Sequence, residues 1–245
     1  MNWGIHIKIM HCSRSEIEKE VVKEIIDLID SKPNCILGLA TGSTPLGVYK
    51  VLIDLYNRKE VYFREVKSFN LDEYIGLADN NSNSYRYFMN NNFFNHIDIK
   101  LENTHIPNCL VKNDIEAQYY DDLIENEGGI DLQLLGLGSD GHIGFNEPNT
   151  SFDSLTHITN LSEKTINDNS RFFNSIDEVP KKAITMGLKT IMKAKRIILI
   201  VYGKNKEEIL NRFLKEDINE GVPCSILKKH HDVTLYIEED INICW

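Results

Sequence analysis

The 245-residue chain reads as an α/β protein built on one mostly parallel sheet with helices on both faces. Three observations point there. Short apolar runs alternate with longer amphipathic stretches, the pattern of strand–helix units whose strands are buried on both sides. Several runs lead directly into glycine-rich turns. No internal repeat or low-complexity linker breaks the alternation, so residues 1–245 are expected to form a single domain.

Taken in order, Ile5 to Met10 alternates in the manner of a strand. Ser13 and Ser15 offer N-caps to a helix in which Ile17, Val21, Ile25 and Ile29 recur at every fourth residue. Cys35 to Ala40 is a short apolar strand, followed by a Gly/Ser/Thr loop and a helix running to Leu55. Val66 to Leu71 reads as a strand, Asp114 to Glu125 as a helix, and Ile130 to Leu137 as a buried strand ending in glycines. Lys181 to Lys193 is expected to be helical and Arg196 to Tyr202 is the strongest strand. Lys206 to Leu214 is expected as a helix, and Val233 to Ile237 as the strand that closes the sheet. Only Asn146 to Asn174 is polar enough to serve as a lid. Ligands of such sheets sit beyond the carboxyl ends of the strands. The segments after Ala40, Leu71, Leu137 and Tyr202 are therefore expected to converge on one site.

Composition narrows the function classes. With 42% hydrophobic and 26% charged residues the chain has globular composition. Its 27 basic and 37 acidic residues give a net charge of −10, which disfavours nucleic acid or an anionic membrane as partner but leaves room for a small anionic substrate. The N-terminus lacks the pattern of a signal peptide, and the longest strongly apolar run, Ile197 to Tyr202, is far short of the roughly 20 residues of a membrane helix. The five cysteines (Cys12, Cys35, Cys109, Cys224, Cys244) are widely spaced with no C-x-x-C pair, as expected of reduced thiols in a cytoplasmic protein.

Several loops carry chemistry. Thr41-Gly-Ser-Thr-Pro-Leu-Gly47 lies between a strand and a helix, where Gly42, Ser43 and Thr44 offer backbone and hydroxyl donors to an anion. Pro45 suits the first helical turn. Val48 and Tyr49 stand where a Walker A loop needs Lys and Ser/Thr, which disfavours a nucleoside triphosphate. The competing reading is an ordinary capped turn.

Gly136-Leu-Gly-Ser-Asp-Gly141 matches G-x-G-x-x-G literally, but Gly144 and Pro148 would interrupt the helix that a dinucleotide fold needs next. The same loop gathers Asp140, His142 and Glu147 within eight residues. Carboxylates beside an imidazole orient it and raise its basicity, so a catalytic role is the better reading. The spacing matches no standard metal-ligand pattern, and no metal is expected.

Asp72, in Ser68-Phe-Asn-Leu-Asp-Glu-Tyr74, reads equally as a general base at a strand end and as a helix cap or solvated turn residue. Arg171, in the polar segment, and Lys206, after the strand ending at Tyr202, are cations placed to reach a phosphate; alone, each reads as a solvated charge. His230-His231-Asp232 suggests metal less than a polar turn before a strand.

Together, Leu39 to Gly47, Ser68 to Gly76, Ser84 to Met89 with Asn92 to His96, Gly136 to Pro148 and Ser225 to Leu227 resemble the glucosamine-6-phosphate deaminases over nearly the whole chain. The resemblance implies a Rossmann-like sheet, no cofactor, and conversion of glucosamine 6-phosphate and water to fructose 6-phosphate and ammonia. It assigns Asp72 as the base that moves the C2 proton toward C1. His142 becomes the ring-opening catalyst, with Asp140 and Glu147 orienting it. Gly42, Ser43, Thr44, Arg171 and Lys206 become the phosphate site.

The chain departs from allosteric members of that family, which carry basic residues just after the N-E-P motif. Thr150, His157 and Thr159 occupy that stretch here, and the chain ends at Trp245. No activation by N-acetylglucosamine 6-phosphate is expected, and the choice between monomer and homo-oligomer stays open. The nearest rival is 6-phosphogluconolactonase, whose loop continues differently after its histidine; Glu147 favours the deaminase. A sugar-phosphate sensor of transcriptional regulators ranks third, having no need of Asp72 together with the Asp140–His142–Glu147 cluster.

Overall fold

The computed structural model describes residues 7–243; Ile5 and His6 of the first expected strand, and Cys244 and Trp245, lie outside them. The strands are β1 (Ile7–Cys12), β2 (Ile36–Leu39), β3 (Lys67–Asn70), β4 (Asp72–Tyr74), β5 (Thr104–His105), β6 (Leu132–Gly136), β7 (His157–Asn160), β8 (Lys182–Thr185), β9 (Arg196–Val201) and β10 (Val233–Glu238). The helices are α1 (Arg14–Ser31), α2 (Leu46–Asn57), α3 (Tyr85–Asn92), α4 (Asp114–Asn126), α5 (Glu163–Asn169), α6 (Leu188–Ile191) and α7 (Glu207–Lys215).

Seven strands form a parallel sheet in the order β1-β10-β9-β6-β2-β3-β5. Period-2 alternation sends neighbouring residues to opposite faces. Leu37, Ile198 and Ile200 pack with Ile17, Val21, Val48 and Met89 of α1, α2 and α3. Ile36, Ile197 and Leu199 pack instead with Ile124, Leu188 and Phe213 of α4, α6 and α7. Burial on both faces is why the central strands read as unbroken apolar runs. Helix α1 starts as its sequence asks: the Ser13 side chain accepts from the Glu16 backbone N–H while the Glu16 carboxylate accepts from the Ser13 backbone N–H, a reciprocal capping box.

The chain leaves this sheet at Leu71, whose N–H donates to Leu39 and whose carbonyl accepts from Met186. It then enters a second, antiparallel sheet of order β4-β8-β7. There Asp72 is in register with Thr185, and Thr185 with His157.

Two expectations are corrected here. Lys181 to Lys193 is not one helix: residues 182–185 are the central strand of the small sheet and only Leu188–Ile191 is helical. The backbone of Ala183–Thr185 is paired on both sides, and Gly187 packs so closely on Ser154 and Leu155 carbonyls that a Cβ would lie 2.2 Å from each. Tertiary pairing overrides the local helical pattern. Asn146 to Asn174, the segment expected as a lid, contains β7 and α5. Finally, β10 does not close the sheet. It lies between β9 and β1, and β1 and β5 are the edges.

Candidate active site

Strands β9, β6, β2 and β3 are neighbours, so their carboxyl ends open onto one crevice. A cavity of about 560 Å³ lies there, lined by segments following all four strands. Asp72, His142, Gly42, Ser43, Thr44, Arg171 and Lys206 all line it; Asp140 and Glu147 do not, and stand behind His142.

Asp72 is a buried strand residue, 6% exposed, rather than a helix cap or a solvated turn residue. Burial, and then the neighbouring Glu73 carboxylate, push its pKa up to about 8. Among the described residues no Lys or Arg forms an ion pair with it. Glu73 points the other way, accepting from the backbone N–H groups of Tyr74, Tyr85 and Arg86 at 2.8, 2.9 and 3.0 Å. It thereby fastens the first turn of α3 to β4.

The loop after β6 folds back on itself, with Gly138 donating to the His142 carbonyl at 2.9 Å. The imidazole lies directly on Gly138, where a Cβ would sit 2.3 Å from the ring. His142 Nδ1 is 2.6 Å from Asp140 Oδ1, which also accepts from the His142 backbone N–H at 3.2 Å. A donating Nδ1–H leaves Nε2 as the acceptor. Partial burial would raise the Asp140 pKa, but the hydrogen bond and charge of His142 outweigh it and hold the carboxyl below the usual range.

Gly144, at φ +60°, is the second close approach: a Cβ there would lie 2.9 Å from Thr185 Oγ1 and 3.4 Å from Asp72 Oδ2. Any larger residue would be strained and would intrude beside Asp72.

Glu147 does not hydrogen-bond to His142. Its Oε1 accepts from Thr165 Oγ1 at 2.5 Å and from the Ser162 N–H at 3.3 Å, while Oε2 is buried with no partner. Atoms of Asp140, His142 and Glu147 lie within 4.8 Å of one another. A cation drawn to this cluster would compete with the Asp140–His142 and Thr165–Glu147 bonds. His230 lies elsewhere; its ring is tied to the Ala194 carbonyl at 2.7 Å in the turn before β10.

The chain matches the family model described as glucosamine-6-phosphate isomerases/6-phosphogluconolactonase over residues 13–236. The chain belongs to that family. A glucosamine-6-phosphate deaminase of Thermoanaerobacter sp. (strain X514) is 54% identical over 226 residues, covering 92% of this chain and 89% of the relative. The solved structure of a monomeric glucosamine-6-phosphate deaminase superposes with a TM-score of 0.92 at 45% identity, covering 95% of this chain and 98% of the other. The 6-phosphogluconolactonase of Thermotoga maritima shares the fold, with a TM-score of 0.75 at 19% identity over 95% and 99% of the two chains.

The family fold also places residues at the cavity that sequence reasoning missed. Tyr74, Tyr85 and Phe145 form an aromatic wall, with ring centroids 4.9, 5.6 and 6.0 Å apart, and Phe173 meets Tyr74 edge-on at 5.8 Å. Tyr74 was legible in principle, because it stands two residues after Asp72 and shares its strand face. Thr165 and Arg14 also line the cavity, and no local pattern announces either.

Proposed function

We propose that this protein is a glucosamine-6-phosphate deaminase, taking glucosamine 6-phosphate and water to fructose 6-phosphate and ammonia. The observation that carries this reading is the meeting of a buried, base-capable carboxylate, Asp72, with an Asp140-oriented imidazole, His142, on one cavity. The relatives at 54% and 45% identity bear that name.

The chemistry divides between the two groups. His142 moves a proton between O5 and O1 as the sugar ring opens, an exchange suited to an imidazole, which can accept a proton and give it back within hydrogen-bond reach. Asp140 holds the ring and stabilises its charged form, and the nearby Glu147 carboxylate adds to that stabilisation through its charge. Burial raises the pKa of Asp72 to about 8, which disfavours its ionised form. The substrate's C2 ammonium supplies the countercharge that favours the carboxylate.

Asp72 then removes the C2 proton. The C–H electron pair forms the C1=C2 bond as the C1=O pair moves to O1, and O1 takes up the proton that the C2 ammonium gives up, leaving an enolamine. Asp72 returns its proton to C1, leaving a C2 iminium. Water adds to C2, and the C2–N bond breaks with its electrons going to nitrogen, releasing ammonia. The net reaction is hydrolysis of a carbon–nitrogen bond coupled to isomerisation.

Gly42, Ser43 and Thr44, in the loop just before α2, bind the phosphate together with Arg171 and Lys206. One domain carries the whole site, with residues 146–174 as its lid and no metal or cofactor in the reaction. A cytoplasmic place in amino-sugar breakdown, including that of N-acetylglucosamine, fits the free thiols of Cys12, Cys35, Cys109 and Cys224. N-acetylglucosamine 6-phosphate does not activate this enzyme, because Thr150, His157 and Thr159 offer no cationic cluster for it; a sharp fall in the half-saturation point on its addition overturns this.

The test is product release from glucosamine 6-phosphate with EDTA present and 6-phosphogluconolactone in parallel. Equimolar ammonia and fructose 6-phosphate, unaffected by EDTA, is the expected result. Lactone hydrolysis alone would assign the lactonase activity instead. Silence on both with tight sugar-phosphate binding would make the protein a sensor.

A further inference from the structure

The carboxylate of Glu147 is held from α5. Thr165 is 3% exposed and lines the cavity. Its hydroxyl accepts from Ser162 Oγ at 3.0 Å and lies 2.5 Å from Glu147 Oε1. With Ser162 donating to it, the Thr165 proton is committed to Glu147. Among the described residues, Thr165 and the Ser162 N–H are the only donors to this carboxylate.

The hydroxyl has no part in capping the helix. That task falls to Ser162 Oγ, which accepts from the Thr165 backbone N–H at 3.1 Å. Meanwhile Glu147 Oε2 is buried with no partner, in a carboxylate that clusters with His142 and Asp140. A buried carboxylate oxygen with no donor is costly unless a charge develops beside it, and the imidazole is the group there that gains one.

We propose that Thr165 is a positioning residue: its hydroxyl seats the Glu147 carboxylate beside the His142–Asp140 pair, so that the imidazole is poised only when α5 is packed on the loop after β6. This rests on the deaminase reading for its kinetic consequence, though not for its geometry. Arg171 follows two residues after α5.

The test compares Thr165→Val, which keeps shape and the backbone N–H but loses the donor, with Thr165→Ser, which keeps the donor. On glucosamine 6-phosphate, T165V lowers kcat by about tenfold or more while KM stays within about twofold. T165S restores most of kcat. Independently of turnover, the 15N resonances of the His142 ring shift in T165V and return in T165S, because they report the charge beside the ring. Wild-type kcat with unmoved His142 resonances in T165V would overturn the proposal. So would a T165S variant as impaired as T165V, since the role would then be steric. If the wild-type protein releases no ammonia, the deaminase reading fails, and the ring resonances still decide the role of Thr165.

Discussion

Two carboxylates belong to this site, Asp72 on the cavity wall and Asp140 behind His142, and their surroundings drive them in opposite directions. Asp72 comes from the β3–β4 side. It is buried beside a second carboxylate, so its pKa rises to about 8. Asp140 comes from the loop after β6. It is also partly buried, but it shares a 2.6 Å hydrogen bond with His142 and is held low. Two chemically identical groups thus become a proton acceptor of moderate basicity and a permanent anion. What separates them is whether a cation-capable partner shares the burial.

The largest expected effect breaks the Asp72 side. Asp72→Asn keeps the shape and removes the base, so ammonia release falls by about a thousandfold or more, while titration of substrate binding changes little. Near-normal turnover would mean that another group takes the C2 proton. Next, His142→Gln breaks the pairing on the Asp140 side and lowers kcat by about a hundredfold. The loss is larger with the closed-ring substrate than with an open-chain analogue, and equal losses would count against ring opening as the role of His142.

A smaller effect sharpens the contrast. Activity that needs the Asp72 carboxylate rises with pH, so kcat/KM has an ascending limb near pH 8. Glu73→Gln removes the like charge that helps raise this pKa, and the limb moves to lower pH; an unmoved limb would leave burial as the sole cause.

The smallest effect is on stability, and its sign differs between the two groups. Asp72 binds its proton more tightly folded than unfolded. Its contribution is therefore fully present below the ordinary carboxylate value of 3.8 and is lost as pH rises toward about 8. In D72N, Tm relative to wild type should thus improve steadily between pH 4 and 8. Asp140 has a lowered folded pKa, so its contribution is present above 3.8 and lost as pH falls below that value. Asp140→Asn should therefore cost Tm at neutral pH, with the deficit shrinking in acid. Calorimetry across pH checks both slopes, and parallel curves would contradict the assignment of opposite environments.

The parallel sheet was largely legible, because its information is local. Ile197 to Val201 is apolar at every position since both faces are covered, and Ile17, Val21, Ile25 and Ile29 mark the buried stripe of α1. The crevice was legible for the same reason, as strand ends face one way in a parallel sheet. Asp140 beside His142 needed only a spacing of two residues within one turn. The small antiparallel sheet was not legible. Its strands start at residues 72, 157 and 182, each too short for a periodic signal, and residues 181–193 carry a helical pattern that pairing overrules.

The sequence by itself therefore determined the layered α/β architecture, the four loops that meet at the crevice and the chemical types that line it. Only the tertiary structure decided the protonation bias of Asp72, the aromatic wall of Tyr74, Tyr85 and Phe145, and the grip of Thr165 on Glu147. Periodicity and turn chemistry are properties of neighbouring residues. Desolvation, ring packing and a hydrogen bond between residues 147 and 165 depend on which distant segments fold against each other, and no local pattern encodes that.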